Sequence, residues 1–89
     1  MGAPALTRKV RRLLTAGFPG ARVDVGTAVP SATRVGGVVV SDVFDGLDHV
    51  DRQRAVWKVL REGLTEDELA RVGLILPVTE AEFEPAAAD

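Results

Sequence analysis

The chain has 89 residues, 46% hydrophobic and 27% charged, which suits one domain with a modest core. It holds no cysteine, which excludes disulfides, thiolate metal sites and cysteine nucleophiles, and no apolar run near the roughly 20 residues of a transmembrane helix. The net charge of −2 is unevenly spread: through Arg34 six basic residues face one acid, and from Val35 onward five face twelve.

Leu6, Val10, Leu13 and Leu14 recur at helical spacing and predict an amphipathic first helix, with Arg8, Lys9, Arg11 and Arg12 on much of its remaining surface. Gly17 ends it and Pro19-Gly20 turns the chain. Ala21, Val23 and Val25 alternate with Arg22 and Asp24, the pattern of a half-buried strand. Gly26 to Arg34 reads as a loop. Gly36 and Gly37 then open a second strand weakly, with a bulge, and the run Val38 to Val40 suits a central strand.

Asp48 predicts the N-cap of a second helix, and Asp51 favours its positive end. Val56, Val59, Leu60 and Gly63 share one face of this helix, with Val50 and Trp57 on a neighbouring one, so it is expected to lie against the sheet. Thr65-x-x-Glu68 is a capping-box pattern that starts a short third helix running to about Arg71. Leu74 to Val78 makes a third strand, and Pro77 implies an edge position or a break in pairing. Thr79-x-x-Glu82 repeats the capping box ahead of a last helical turn at Phe83.

The predicted fold is α+β: an αββααβ two-layer domain over residues 6–83, with a mixed three-stranded sheet covered by helices on one face. Residues 1–5 and 84–89 are expected to be flexible ends. The first residues lack a secretory h-region, which favours a cytoplasmic protein.

Few side chains point to chemistry. His49 is the single histidine and stands in no nucleophile motif, so it reads as a surface residue. Asp42, Asp45, Asp48 and Asp51 recur every third position, unlike the alternate acids of an EF-hand loop. Gly17-Phe18-Pro19-Gly20 spells the GxxG of KH modules, but lies between a helix and a strand. The junction of the two consecutive helices, where that loop belongs, is flanked by Glu62, Glu66, Asp67 and Glu68, which oppose phosphate. Arg52 and Arg54, two positions apart, leave the second helix on different faces; one is expected to serve the structure while the other meets solvent.

The stretch VVVSDVFDGLDHVDRQR resembles the BolA family, whose hallmark is a valine-rich strand, a Ser-x-x-Phe-x-Gly turn and a helix opening Val-x-Arg-His-Arg. The matching positions are Ser41, Phe44, Gly46, Val50, Arg52 and Arg54, with Gln53 in place of the middle histidine. LLTAGFPGARVDV is similar to the family's first helix and strand, and VTEAEF to its Thr-x-Glu-Glu-Trp ending, so the likeness runs over about residues 6 to 83. It implies a KH-like fold of type II-like αββααβ order, and a non-enzymatic protein that partners a monothiol glutaredoxin in iron–sulfur handling, iron or stress regulation. It also implies a shared [2Fe-2S] cluster, held by a histidine near the start of the last strand and a His or Cys from the loop between the first two strands.

The corresponding positions here are Arg71 and Arg34, and a guanidinium has no lone pair to give iron. A protein partner without cluster ligation is therefore expected. The alternative is a nucleic-acid-binding transcriptional regulator using Arg8, Arg11, Arg12 and Arg71, which the sequence pI of 5.3 disfavours.

Overall fold

The computed structural model describes residues 3–27 and 33–83. They form α1 (Ala3–Gly17), β1 (Arg22–Gly26), β2 (Val35–Val40), a 3-10 turn (Asp42–Phe44), α2 (His49–Gly63), α3 (Glu66–Ala70), β3 (Val72–Val78) and α4 (Glu80–Phe83). This is the αββααβ order with a final helical turn added. Residues 3–5, expected within a flexible end, instead form the first turn of α1. Pro4 suits that turn because its missing N–H needs no partner there. The expected flexible tail at 84–89 lies outside the described residues.

The sheet runs β1-β2-β3, with β1 antiparallel and β3 parallel to the central β2. The parallel pair requires a crossover, which α2 and α3 supply. Leu6, Val10 and Leu14 of α1 and Val56 and Leu60 of α2 are buried together with Val25, Val35, Val39 and Ile75 of the sheet. The two helices approach closely where Gly17 faces Val59 and Gly63 faces Leu13. A residue with a Cβ at either point would collide with the opposing side chain.

Val50 does not join this packing. It leaves α2 on the side of Trp57, away from the Val56 and Leu60 stripe, and stays 57% exposed in the first turn. Trp57, two turns further along, is half-buried against the core.

Pairing steps from Val35↔Val72 to Gly37↔Ile75, so β3 carries one more residue than β2 across this interval. Gly37 sits at φ 154°, and a Cβ there would fall on the carbonyl oxygen of Asp24. The two glycines that weaken the start of β2 are thus what lets three backbones meet at the irregularity. Pro77 lies on edge strand β3, where a missing N–H breaks no ladder on the outer side.

Helix starts follow local chemistry. Asp48 Oδ1 accepts the Asp51 amide at 2.8 Å. Thr65 and Glu68 close a full capping box at α3, and Thr79 and Glu82 exchange the same two hydrogen bonds at α4. Gly17 to Gly20 is a turn between α1 and β1: the Ala21 amide donates to the Phe18 carbonyl at 3.0 Å, and Phe18 is buried. No helix among the described residues is long and apolar enough to cross a membrane.

Candidate functional site

The turn after β2 is built by three residues of the Ser-x-x-Phe-x-Gly pattern. Ser41 Oγ accepts the Val43 amide at 3.2 Å and so caps the 3-10 turn. Phe44 drops its ring into the core, fully buried, with its centroid 5.2 Å from that of Phe18. Gly46 then turns the chain at φ 80°, a conformation that costs an ordinary residue energy. Each position has a mechanical reason.

The helix part of the pattern is likewise structural. Arg52 Nη1 and Nη2 grip the carboxylate of Glu82 at 2.6 and 3.1 Å, while Nε donates to the Leu47 carbonyl at 3.0 Å and Nη1 to that of Pro77 at 3.3 Å. One guanidinium therefore ties together the turn before α2, the end of β3, and α4. Its bond to Glu82 raises the Arg52 pKa. The same bond, aided by the Thr79 amide, pushes the Glu82 carboxyl from its ordinary 4.5 down to about 2.

Gln53, where the resemblance has histidine, donates from Nε2 to the Ile75 carbonyl at 3.0 Å. Arg54 points to solvent, 78% exposed and 3.8 Å from Asp51. The expected division of labour between the two arginines is the one found.

Three of the four aspartates at every third position are dispersed into separate local tasks. Asp42 Oδ1 accepts the Glu80 amide at 3.1 Å, Asp48 caps α2, and Asp51 lies beside Arg54. Among the described residues no group of three or more His, Cys, Asp or Glu is placed to hold a metal ion.

Arg34 and Arg71 are brought together. Arg71 caps the end of α3 immediately before β3, and its carbonyl accepts the Val35 amide at 2.8 Å. The following residues, Val35 and Val72, are partners in the parallel ladder. The two arginines thus head adjacent strands at one end of the sheet; both are exposed, and neither forms an ion pair among the described residues.

This is the end where the resemblance implies cluster ligands, and its chemistry does not fit an iron–sulfur cluster. His49 cannot stand in. It is exposed at the start of α2, beyond the far end of β2, and five residue steps along that strand alone span roughly 17 Å.

The basic residues of α1 divide. Arg8, Arg11 and Arg12 are all exposed, and Arg11 Nη2 also donates to the Val25 carbonyl of β1 at 3.2 Å. Lys9 holds Glu68 of α3 at 2.9 Å, which lowers the Glu68 pKa. Sequence reasoning did not foresee the Lys9–Glu68 and Arg52–Glu82 pairs, which join residues 59 and 30 positions apart.

One surface feature has no counterpart in the sequence patterns. Leu74 and Leu76 point from β3 onto the sheet face away from α1 and α2, 65% and 41% exposed. They border a shallow groove of about 680 Å³ that also reaches Asp24 and Arg34.

Compared with models of known protein families, and with curated proteins, the chain matches none.

Proposed function

We propose that this chain is a non-enzymatic, BolA-like binding domain that docks on a protein partner, a monothiol glutaredoxin being the partner the resemblance suggests, without ligating an iron–sulfur cluster. The observation that carries this reading is the placement of Arg34 and Arg71 at the heads of adjacent strands. Two permanent cations occupy the sheet end where the resemblance implies metal ligands, and they favour an anionic partner group over iron. The αββααβ order and the mechanical fit of Ser41, Phe44 and Gly46 are consistent with the resemblance. A cytoplasmic role in iron or stress regulation follows from the same likeness.

The rival reading is nucleic-acid binding through Arg8, Arg11, Arg12 and Arg71. Glu66 and Asp67, exposed on α3 close to Arg71 in the chain, oppose phosphate there.

The test is reconstitution with a monothiol glutaredoxin, glutathione, iron and inorganic sulfide. A complex is expected whose visible cluster absorbance does not depend on this chain. A mixed cluster that requires this chain and is lost in the His49→Ala variant would overturn the reading. DNA binding that falls steeply with added salt would favour the rival.

A further inference from the structure

Among the described residues the sheet has one covered and one bare face. On the bare face, Leu74 and Leu76 stand exposed beside Val38, and the neighbouring Gly36, Gly37 and Gly73 add no side chains that would fill the space between strands. Exposed leucines on a sheet face mark a surface that gains by being covered.

Charge is arranged along this groove. Asp24 lies in the same cross-strand row as Val38 and Leu76, whereas Arg34 lies four residues before Val38, roughly 13 Å along the strand direction. Arg71 heads the next strand beside it. The groove therefore carries a negative group near its middle, an apolar wall, and at one end the Arg34 guanidinium, which forms no ion pair among the described residues. Guanidinium binds carboxylates through paired N–H donors.

We propose that this face binds a short segment of a partner protein that places an aliphatic side chain between Leu74 and Leu76 and a carboxylate on Arg34, the guanidinium at the groove's end. The proposal rests on the reading of the chain as a protein-binding domain, and adds the chemistry of what is bound and where. A nucleic acid fits the groove less well, because Asp24 lines it and no aromatic ring does, so bases would find no stacking surface.

The experiment is a titration of the full 15N-labelled chain with the peptide acetyl-Gly-Leu-Glu-Leu-Glu-Gly-amide, followed by amide chemical shifts. Its Gln-for-Glu twin and a short single-stranded oligonucleotide serve as comparison probes. Saturable shifts at Gly36, Gly73, Leu74 and Leu76 are expected, with the Gln twin at least tenfold weaker. Arg34→Glu and Leu76→Ser should each weaken binding at least tenfold. Both positions are exposed, and an otherwise unchanged spectrum shows that the variant is folded.

The inference fails if the acidic peptide gives no saturable shifts up to about 1 mM, if its shifts map to the Arg8 and Arg12 face, or if the Gln twin binds equally. Stronger shifts of the groove amides by the oligonucleotide would replace it with the nucleic-acid reading. Failure with the peptide while glutaredoxin still binds removes this site and leaves the proposed function standing.

Discussion

Replacing Phe44 by Ala tests whether the Ser-x-x-Phe-x-Gly turn is held by packing. The ring is fully buried and makes a tilted contact with Phe18, 5.2 Å between centroids at 57°. Removing a buried Phe side chain costs about 3–5 kcal/mol, of which about 0.5–1.5 kcal/mol belongs to the aromatic pair. A domain of 89 residues has roughly 4–13 kcal/mol of stability in total, at about 0.05–0.15 kcal/mol per residue. The variant is therefore expected to lose a large share of its stability, with its Tm lowered by about 12 °C or more at roughly 4–8 °C per kcal/mol.

Urea unfolding reads this directly, because Trp57 is the single tryptophan and is half-buried against the core. The midpoint should fall while the slope m stays constant. Phe44→Leu, which keeps most of the volume, should lose far less. A loss below about 1 kcal/mol for Phe44→Ala, against the usual range for core Phe residues, would show that the turn is not anchored by this ring.

Further outcomes concern the sheet and its clasps. Gly37→Ala should destabilise severely or abolish soluble folding, since its Cβ would land on the Asp24 carbonyl; circular dichroism and soluble yield check it. Glu82 has a depressed folded-state pKa of about 2 against an ordinary 4.5, so its stabilising effect is complete above about 4.5 and fades as the pH falls toward 2. Urea midpoints should therefore show wild type ahead of Glu82→Gln above pH 4.5, with the gap closing in acid; a gap that widens in acid would contradict this sign. Gln53→Ala should cost about 1 kcal/mol by freeing a carbonyl, whereas Arg54→Ala should stay within about 0.5 kcal/mol as an exposed position. Thermal unfolding of the two side by side reads the contrast.

Local chemistry was the legible part of this chain. Asp48, Thr65 and Thr79 mark helix starts because a cap and its target lie three residues apart. Gly36 and Gly37 announced an irregular strand, and Pro77 an edge or a break in pairing, because backbone geometry tolerates those residues in few places; the sheet order decides for the edge. The partners of Arg52, Gln53 and Lys9 were not legible, since Glu82, the Ile75 carbonyl and Glu68 come close only after the crossover is made. The exposure of Val50 escaped for a related reason: periodicity places it on a side of α2, but not whether anything packs there. Anchors within the sequence placed Arg34 near one strand and Arg71 near another. Their meeting at one sheet end depends on the parallel pairing of β2 with β3.

The three helix side chains that reach sheet carbonyls have an effect beyond local order. A three-stranded sheet has two margins at which a foreign backbone could extend the ladder, the route by which small β-containing proteins polymerise. Here Gln53 and Arg52 already occupy the Ile75 and Pro77 carbonyls on one margin, and Arg11 occupies that of Val25 on the other. Pro77 adds a position with no N–H to offer. A would-be added strand must first displace these donors, so fibril growth from the native state is handicapped at both margins. The charged and amide side chains of α1 and α2 act as guards against self-templating.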